Sequence, residues 1–292
     1  MVQGLWLPLV TPFRDGALDE TSLRRMVRHY RAQPVDGFIL AATTGEGLTI
    51  DDDETERLVA ITATELAGQR PLYLGVSGSD TRQVAKALAH SAAWPVDGYL
   101  VACPYYTRPS QEGLYRHFAA LADTTTRPIL VYNIPYRTGV NMSNDTLLRL
   151  GELRNIAGVK DCCADAAQSF DLMRTRPAGF SVMTGEDGWF YPALTQGADG
   201  GITASAHIGT ARFATVRDLL LAGDQPGALR AWRSFADLPR LLFAEPSPAP
   251  IKHWLWRLGL IDSPEVRLPM TQVSDALAAR IDGETERGRL AA

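Results

Sequence analysis

Lysine is scarce in this chain of 292 residues: its 29 basic side chains include only three lysines, Lys86, Lys160 and Lys252, and the rest are arginines. No dense block of basic residues occurs, and the formal net charge is -4, so the composition gives no electrostatic case for a nucleic-acid partner. A run of roughly 18 apolar residues is also missing, so the sequence predicts no membrane-spanning helix.

Cysteine is scarce as well. Cys103, Cys162 and Cys163 are odd in number and have neither the spacing of a disulfide framework nor that of a zinc site, so we expect a reducing, cytoplasmic location. The first residues, "MVQGLWLPLVTPF", lack a basic segment and are interrupted by Pro8, which is typical of a strand rather than of a signal peptide.

Motifs for the common cofactors are absent. The five histidines are scattered, with no pair at i,i+4, so the sequence predicts no metal site. A Gly-x-Gly-x-x-Gly fingerprint, a Walker-type loop and a Gly-x-Ser-x-Gly elbow are missing too. We therefore expect no cofactor.

Short apolar or β-branched runs, which are typical of buried strands, alternate with segments of helical spacing. The runs lie at 5–10, 37–42, 71–76, 97–102, 128–133, 156–160, 180–184 and 200–203. A local repeat shows the unit directly, because "PVDGFILA" at 34–41 and "PVDGYLVA" at 95–102 each end a helix, turn the chain and begin a strand. Strands joined by helices run parallel, since a parallel neighbour needs a crossover connection.

Two architectures fit eight such units, an open doubly wound sheet and a closed barrel. The near-equal length of the units favours the barrel, so we predict an α/β fold with a (β/α)8 TIM barrel over residues 1–222. From 223 to 292 only helical patterns follow, and they hold three of the six tryptophans. We predict that this segment is a C-terminal helical extension that packs firmly against another part of the protein.

Lys160 ends an apolar run in "NIAGVKDCCAD", where a buried charge would be costly. Arginine stays protonated in proteins, whereas a desolvated lysine amine can lose its proton and act as a nucleophile. Side chains alternate along a strand, so Asp161 points away from the face that carries Lys160. If that face is the barrel mouth, the pKa of the unpaired amine falls from ~10.4 toward neutrality and a Schiff base becomes possible. A lysine that extends to solvent from the strand end is the alternative.

Other strand ends carry candidate site residues. Tyr132 lies one strand-helix unit upstream of Lys160, where a phenol could transfer protons, although a core tyrosine is the alternative. Thr43 and Thr44 precede Gly45 in a tight turn suited to a small carboxylate, but such turns are common. Arg137 could bind a second carboxylate with two hydrogen bonds, or it could be an ordinary surface arginine.

Seven motifs along the chain resemble the dihydrodipicolinate synthase/N-acetylneuraminate lyase family of class I aldolases. In order they are "PLVTPF", "TTGE", "CPYYTRPSQEGLYRHF", "YNIPYRTG", "GVKD", "EPSPAPIKHWLWRLGL" and "RLPMT". The resemblance implies a lyase of the Schiff-base type, with a (β/α)8 barrel and a helical extension. It also implies a homotetramer or homodimer that acts on small-molecule substrates.

The same resemblance implies residue roles. Lys160 would form the Schiff base with pyruvate, Tyr132 would transfer protons, and Thr43 would relay them. Tyr106 would reach into the neighbouring subunit's site and complete the relay. The residues around the pyruvate would be Thr44, Gly45, Gly185 and Ile202.

The "YNIPYRTG" motif resembles the branch of the family that condenses pyruvate with aspartate semialdehyde in lysine biosynthesis, where Arg137 would bind the semialdehyde carboxylate. Three features depart from that branch. Tyr136 replaces a small residue and would intrude on the second-substrate pocket, "KDCCAD" replaces Lys-Glu-Ala, and His207 stands where asparagine is expected.

We therefore expect the condensation of pyruvate with aspartate semialdehyde. A pyruvate-dependent aldolase or dehydratase acting on another 2-oxo acid is the first alternative. A non-catalytic pyruvate-binding paralogue is the second, and the presence of Lys160, Tyr132 and Thr43 argues against it.

Regulation is a further point of difference. Many members of this branch are inhibited by lysine, bound through a glutamate, an asparagine, paired histidines and a tyrosine. The matching positions here are Gln83, Ser79, Asp52, Thr55 and Tyr105, of which only the tyrosine is kept.

Overall fold

The predicted barrel is confirmed in the computed structural model, which describes residues 1–287. The strands are β1 (Gly4–Pro8), β2 (Phe13–Arg14), β3 (Ala17–Leu18), β4 (Gly37–Leu40), β5 (Leu72–Val76), β6 (Gly98–Ala102), β7 (Ile129–Asn133), β8 (Ile156–Asp161), β9 (Ser181–Thr184) and β10 (Gly200–Ile202). All except β2 and β3 form a closed barrel of parallel pairs in the order β1-β10-β9-β8-β7-β6-β5-β4. Strands β2 and β3 form an antiparallel hairpin.

Helices connect consecutive barrel strands, as the segments of helical spacing predict, and further helices follow the last strand. They are α1 (Glu20–Arg31), α2 (Asp52–Leu66), α3 (Thr81–His90), α4 (Gln111–Ala122), α5 (Pro135–Thr138), α6 (Asn144–Leu150), α7 (Ala166–Thr175), α8 (Phe190–Thr195), α9 (Ala206–Leu221), α10 (Gln225–Arg233), α11 (Asp237–Leu242), α12 (Ala249–Arg257) and α13 (Asp275–Arg287). None of the helices within the described residues combines the length and the apolar character that a membrane crossing requires.

The alternation of side chains along each strand divides the core into two layers. On β1, Trp6 points into the barrel, where it packs in one cluster with Leu130 and Met183. Its neighbours Leu5 and Leu7 belong to the second cluster, between the strands and the surrounding helices. Side chains therefore fill the barrel interior, which leaves the ends of the strands for a site.

The repeated Pro-Val-Asp-Gly turns lie at the amino-terminal end of the barrel. Asp36 in the first copy accepts a hydrogen bond from the backbone N–H of Leu5 at 2.7 Å, and Asp97 in the second copy accepts one from Leu72 at 2.8 Å. Each aspartate thus connects the start of its own strand to the start of the preceding one. The repeat contributes to barrel closure rather than to a site.

Helices α10 to α13 follow the barrel. Trp232 on α10 makes an edge-to-face contact with Phe213 of α9, with 5.9 Å between the ring centroids, and Trp254 on α12 is fully buried. The boundary at 222/223 between barrel and extension stays a prediction. The last part of the predicted extension, residues 288–292, lies outside the described residues.

Candidate active site

Lys160 and Tyr132 lie side by side at the carboxyl-terminal end of the barrel. They are partner residues in the parallel pairing of β8 with β7, and both side chains are buried. The Lys160 amine lies 4.3 Å from the centroid of the Tyr132 ring. Burial lowers the pKa of the Lys160 amine, because a charged ammonium is poorly solvated there.

Asp161 points to the opposite face of β8. Its carboxylate accepts hydrogen bonds from the backbone N–H of Cys163 at 3.1 Å and from the hydroxyl of Ser169. Within residues 1–287 no hydrogen bond or ion pair involves the Lys160 amine. The amine is therefore free to lose its proton and to attack a carbonyl carbon.

Charged groups surround Lys160 without pairing with it. The positive charge of Arg137 acts with burial to lower the pKa of Lys160, whereas the carboxylates of Asp187 and Glu186 act to raise it. Asp187 is itself buried and accepts a hydrogen bond from the backbone N–H of Ala204 at 3.2 Å. Burial raises the pKa of Asp187 to about 6, although hydrogen bonds to its carboxylate oppose that shift.

The Thr43–Gly45 segment forms one 3-10 turn directly after β4. Thr43 is exposed at the barrel mouth and lies close enough to Tyr132 to lower the pKa of its phenol, against the larger effect of burial, which raises it. Thr44 is buried, and the backbone oxygen of Gly45 accepts a hydrogen bond from the Thr11 hydroxyl at 2.6 Å. The turn thus places the Thr43 hydroxyl near the phenol of Tyr132.

Gly185 follows β9 and packs against the Schiff-base candidate. A Cβ atom at this position would lie 2.5 Å from Cε of Lys160 and would also overlap Sγ of Cys162. Ile202 on β10 is fully buried inside the barrel. Ile202 thus belongs to the same interior cluster as Tyr132 and Cys162, and a side chain added at Gly185 would force Lys160 or Cys162 to move.

A hydrogen bond spans the mouth of the barrel. The hydroxyl of Tyr136, on α5 after β7, donates to Oε1 of Glu186, in the loop after β9, at 2.9 Å. Strand β8 with Lys160 lies between these two loops, so the bridge passes over the lysine. Arg137 is exposed, with its guanidinium carbon 5.9 Å from the centroid of the Tyr136 ring.

A cavity of about 360 Å³ opens at this end of the barrel, and its lining includes Thr43, Tyr132 and Arg137. A second cavity of about 320 Å³ lies on the other face of β8, where Asp161 and Ser169 line it. The strand therefore separates two cavities, and the Tyr132 ring that contacts the Lys160 amine faces the first.

Residues 1–282 match the model of the dihydrodipicolinate synthetase family. The chain belongs to this family. It is 42% identical to 4-hydroxy-tetrahydrodipicolinate synthase 2 of Clostridium acetobutylicum, over 96% of this chain and 98% of that protein.

Solved structures of the family agree. The dihydrodipicolinate synthase of Thermotoga maritima is similar to this chain with a TM-score of 0.95 and 32% sequence identity. The match covers 99% of this chain and 100% of the Thermotoga maritima chain. An enzyme of the family from Cyanidioschyzon merolae, solved with lysine bound, has a TM-score of 0.94 and 28% identity, with 99% of both chains covered. Fold and family are thereby shown.

Tyr106 does not reach the site within its own chain. Its side chain is 92% exposed, and its backbone has a φ of 69°, which is unusual for a residue other than glycine. The family resemblance assigns this tyrosine to a neighbouring subunit's site. That role stays a prediction.

His207, the departure from the family pattern, is a buried histidine that connects backbone segments. The backbone N–H of Val10 donates to its Nε2 at 3.3 Å, so Nδ1 carries the proton and donates to the backbone oxygen of Ala204 at 2.7 Å. Burial lowers the pKa of His207 to about 4, so the ring is neutral. It acts as a structural link rather than as a substrate ligand.

Two neighbours of Lys160 were not predicted from the sequence. Cys162 shares its strand face, and Glu186 reaches both Cys162 and Tyr136. The alternation rule applied two residues past Lys160 would have found the thiol. No local pattern indicates the glutamate, because a loop conformation determines where its carboxylate lies.

Proposed function

We propose that this protein condenses pyruvate with aspartate semialdehyde through a Schiff base on Lys160. The observation that carries the proposal is the buried, unpaired Lys160 amine against the Tyr132 ring. Relatives of the same family named 4-hydroxy-tetrahydrodipicolinate synthase support the choice of reaction.

The first chemical step is attack of the neutral Lys160 amine on the ketone of pyruvate. The carbinolamine then loses water, which requires a proton at the departing oxygen. The phenol of Tyr132 keeps its proton, because burial raises its pKa well above the usual value, so it can donate this proton. Thr43 would relay the proton onward, and Tyr106 of a neighbouring subunit would complete the relay.

The second chemical step forms the carbon-carbon bond. Loss of a methyl proton converts the imine into an enamine, and the enamine attacks the aldehyde of the semialdehyde. The substrate amine then displaces Lys160 as the ring closes and regenerates the free enzyme. Arg137 at the mouth is the candidate ligand for the semialdehyde carboxylate, and Thr44 and Gly45 are the candidates for the pyruvate carboxylate.

A pyruvate-dependent aldolase or dehydratase acting on another 2-oxo acid is the second candidate. The bridge between Tyr136 and Glu186 favours it, because a phenol and a carboxylate occupy the mouth above Lys160. An assay of the purified protein with pyruvate and a panel of aldehydes decides between the two. We expect aspartate semialdehyde to be used with the highest kcat/KM, and a clear preference for another aldehyde would favour the second candidate.

We expect the Tyr136 ring to limit the second substrate. The Tyr136→Ser variant should raise kcat/KM for aspartate semialdehyde by about 10-fold, since removing a ring from a pocket relieves a steric cost of that order. Tyr136→Phe is the matched control, because it removes only the hydrogen bond to Glu186 and keeps the ring. If the wild type is fully active with aspartate semialdehyde and the serine variant is no better, the Tyr136 ring does not occupy the second-substrate pocket.

Lysine should not inhibit this enzyme. Gln83 has no charge to pair with an ammonium, and the neighbouring Arg82 is held by Asp80 at 3.2 Å. Each charge-assisted hydrogen bond lost costs ~1.5–3 kcal/mol, or a factor of roughly 10 to 150 in affinity. Titration calorimetry should therefore detect no binding, and a dissociation constant below about 1 mM would contradict this expectation.

We further propose a homotetramer or homodimer in the cytoplasm. The exposure of Tyr106 supports an assembly. This tyrosine has a proposed role in the proton relay, but it does not reach the site of its own chain. The scarcity of cysteine supports the cytoplasmic location.

A further inference from the structure

Lys252 is a buried lysine that the proposed reaction does not use. It lies on α12 of the predicted extension, and its side chain has no exposed surface, 0%. Its amine donates to the carboxylate of Glu46 and to the backbone oxygen of Glu265 at 2.7 Å, and it lies 4.3 Å from the centroid of the Phe13 ring. Burial lowers the pKa of Lys252 to about 8, and the Glu46 carboxylate opposes this shift.

Glu46 is the residue that directly follows the Thr43–Gly45 turn. Its φ of 54° lies in the left-handed region, which a glutamate adopts only where its surroundings hold it. Its backbone N–H donates to the oxygen of Thr43 at 3.1 Å and closes the turn. Its second carboxylate oxygen accepts a hydrogen bond from the backbone N–H of Arg267 at 2.9 Å. Both carboxylate oxygens are thus bound to residues beyond the barrel, while the backbone holds the turn.

The turn and the ion pair border the site. Thr43 and Glu46 line the same cavity as Tyr132, and Thr43 already influences the phenol. The ion pair between Glu46 and Lys252, which are 206 residues apart in the sequence, connects the turn to the extension. A shift of the carboxylate would therefore move the hydroxyl that the proposed relay needs.

We propose that Lys252 and Glu46 are positioning residues for the proposed reaction. The ammonium holds the carboxylate, the carboxylate holds Glu46 in its left-handed conformation, and that conformation fixes the Thr43 hydroxyl beside Tyr132. The inference rests on the proposed function, because it assigns the turn a part in imine formation.

Removing one partner differs physically from removing both. A buried carboxylate without its cation must find water or bind a proton, so the loss of Lys252 alone drives Glu46 out of its place. Two neutral side chains of similar size leave no unpaired charge and preserve the fold, but the ion pair that holds Glu46 and the turn in place is lost. A double variant therefore separates positioning from stability.

The test uses the variant Lys252→Met/Glu46→Gln in the full-length protein. Imine formation with pyruvate is followed by quenching with borohydride in single-turnover reactions, and thermal unfolding is measured in parallel. The variant should unfold at nearly the wild-type temperature. Its imine formation should be slower by roughly 100-fold, the usual consequence of a catalytic group displaced by about an ångström.

A matched control pair lies at the opposite end of the barrel. Arg176 and Asp199 form a largely buried ion pair, with side chains 20% and 14% exposed, and Asp199 accepts the backbone N–H of Val182 at 2.8 Å. By the same argument, the variant Arg176→Met/Asp199→Asn should unfold at nearly the wild-type temperature, and it should not slow imine formation.

A wild-type rate of imine formation in the folded Lys252→Met/Glu46→Gln variant would overturn the inference. If that variant fails to fold, the variant Glu46→Asp tests the inference instead. It keeps both charges, but its side chain is one methylene shorter, so the carboxylate lies farther from Lys252. An unchanged rate in Glu46→Asp would overturn the inference equally. Absence of any imine in the wild type would instead refute the proposed function itself.

Discussion

The variant Lys160→Arg should capture no pyruvate and should lose turnover by roughly 1000-fold or more. Arginine keeps a positive charge and a similar reach but stays protonated, so it offers no lone pair to a ketone. Borohydride reduction in the presence of pyruvate, followed by peptide mass spectrometry, measures the adduct directly. The wild type should carry the reduced pyruvyl group at Lys160 alone.

The pH dependence of this capture follows from the environment of the amine. Only the neutral amine reacts, so the rate of capture should rise as the pH passes through the pKa of Lys160 and then level off. Burial lowers that pKa, so the rise should lie at a lower pH than for an exposed lysine. A rise only at the pH of an ordinary lysine would contradict the role of burial.

Lys86 provides the matched control. It is exposed on α3 and is not among the residues that line the site cavity, so Lys86→Arg should leave both capture and turnover at the wild-type level. An adduct at Lys86 or Lys252 in the wild type would contradict the mechanism, as would an adduct that survives in Lys160→Arg.

The barrel could be predicted from the sequence because each strand-helix unit carries its own local signal. All eight predicted runs are strands, with ends that differ by a residue or two from the prediction. The hairpin of β2 and β3 was missed, since two strands of two residues each show no periodicity. Its turn, Asp15–Gly16, has φ values of 54° and 80° and is the Asp-Gly pair typical of tight hairpins, so a signal was present.

The centre of the candidate site could also be anticipated, because strand order and alternation bring Tyr132 beside Lys160. The contacts around that centre could not. The hydrogen bond from Tyr136 to Glu186 joins residues 50 apart, one on the short helix α5 and one in the loop after β9, and no pattern in the sequence fixes how these segments approach each other. Lys252 offered one clue, since a chain that otherwise uses arginine keeps lysine at very few positions.

The space beside Gly185 is a tight steric limit at the Lys160 side chain. A Cβ atom at this position would lie 2.5 Å from Cε of Lys160, well inside ordinary van der Waals contact. The backbone N–H of Gly185 also donates to the oxygen of Asp161 at 2.8 Å, so the loop cannot move away without losing a bond to β8. The side chains of Lys160 and Cys162 are therefore the parts that must move.

The variant Gly185→Ala should therefore displace the amine rather than unfold the barrel. We expect capture of pyruvate and kcat/KM to fall by roughly 100-fold, because a nucleophile moved by about an ångström loses its approach to the ketone. The single-turnover borohydride assay measures the first quantity, and steady-state kinetics with pyruvate measure the second.

Gly188→Ala is the control for this change, since it adds the same methyl group in the same loop. A Cβ atom at Gly188 would meet no atom within 4 Å, so that variant should behave as the wild type does. Adding Cys162→Ala to Gly185→Ala removes the overlap with Sγ but keeps the one with Cε, so it should restore little of the lost rate. A wild-type rate of capture in Gly185→Ala would mean that the Lys160 side chain reaches pyruvate along another path, and the assigned geometry of the site would then be wrong.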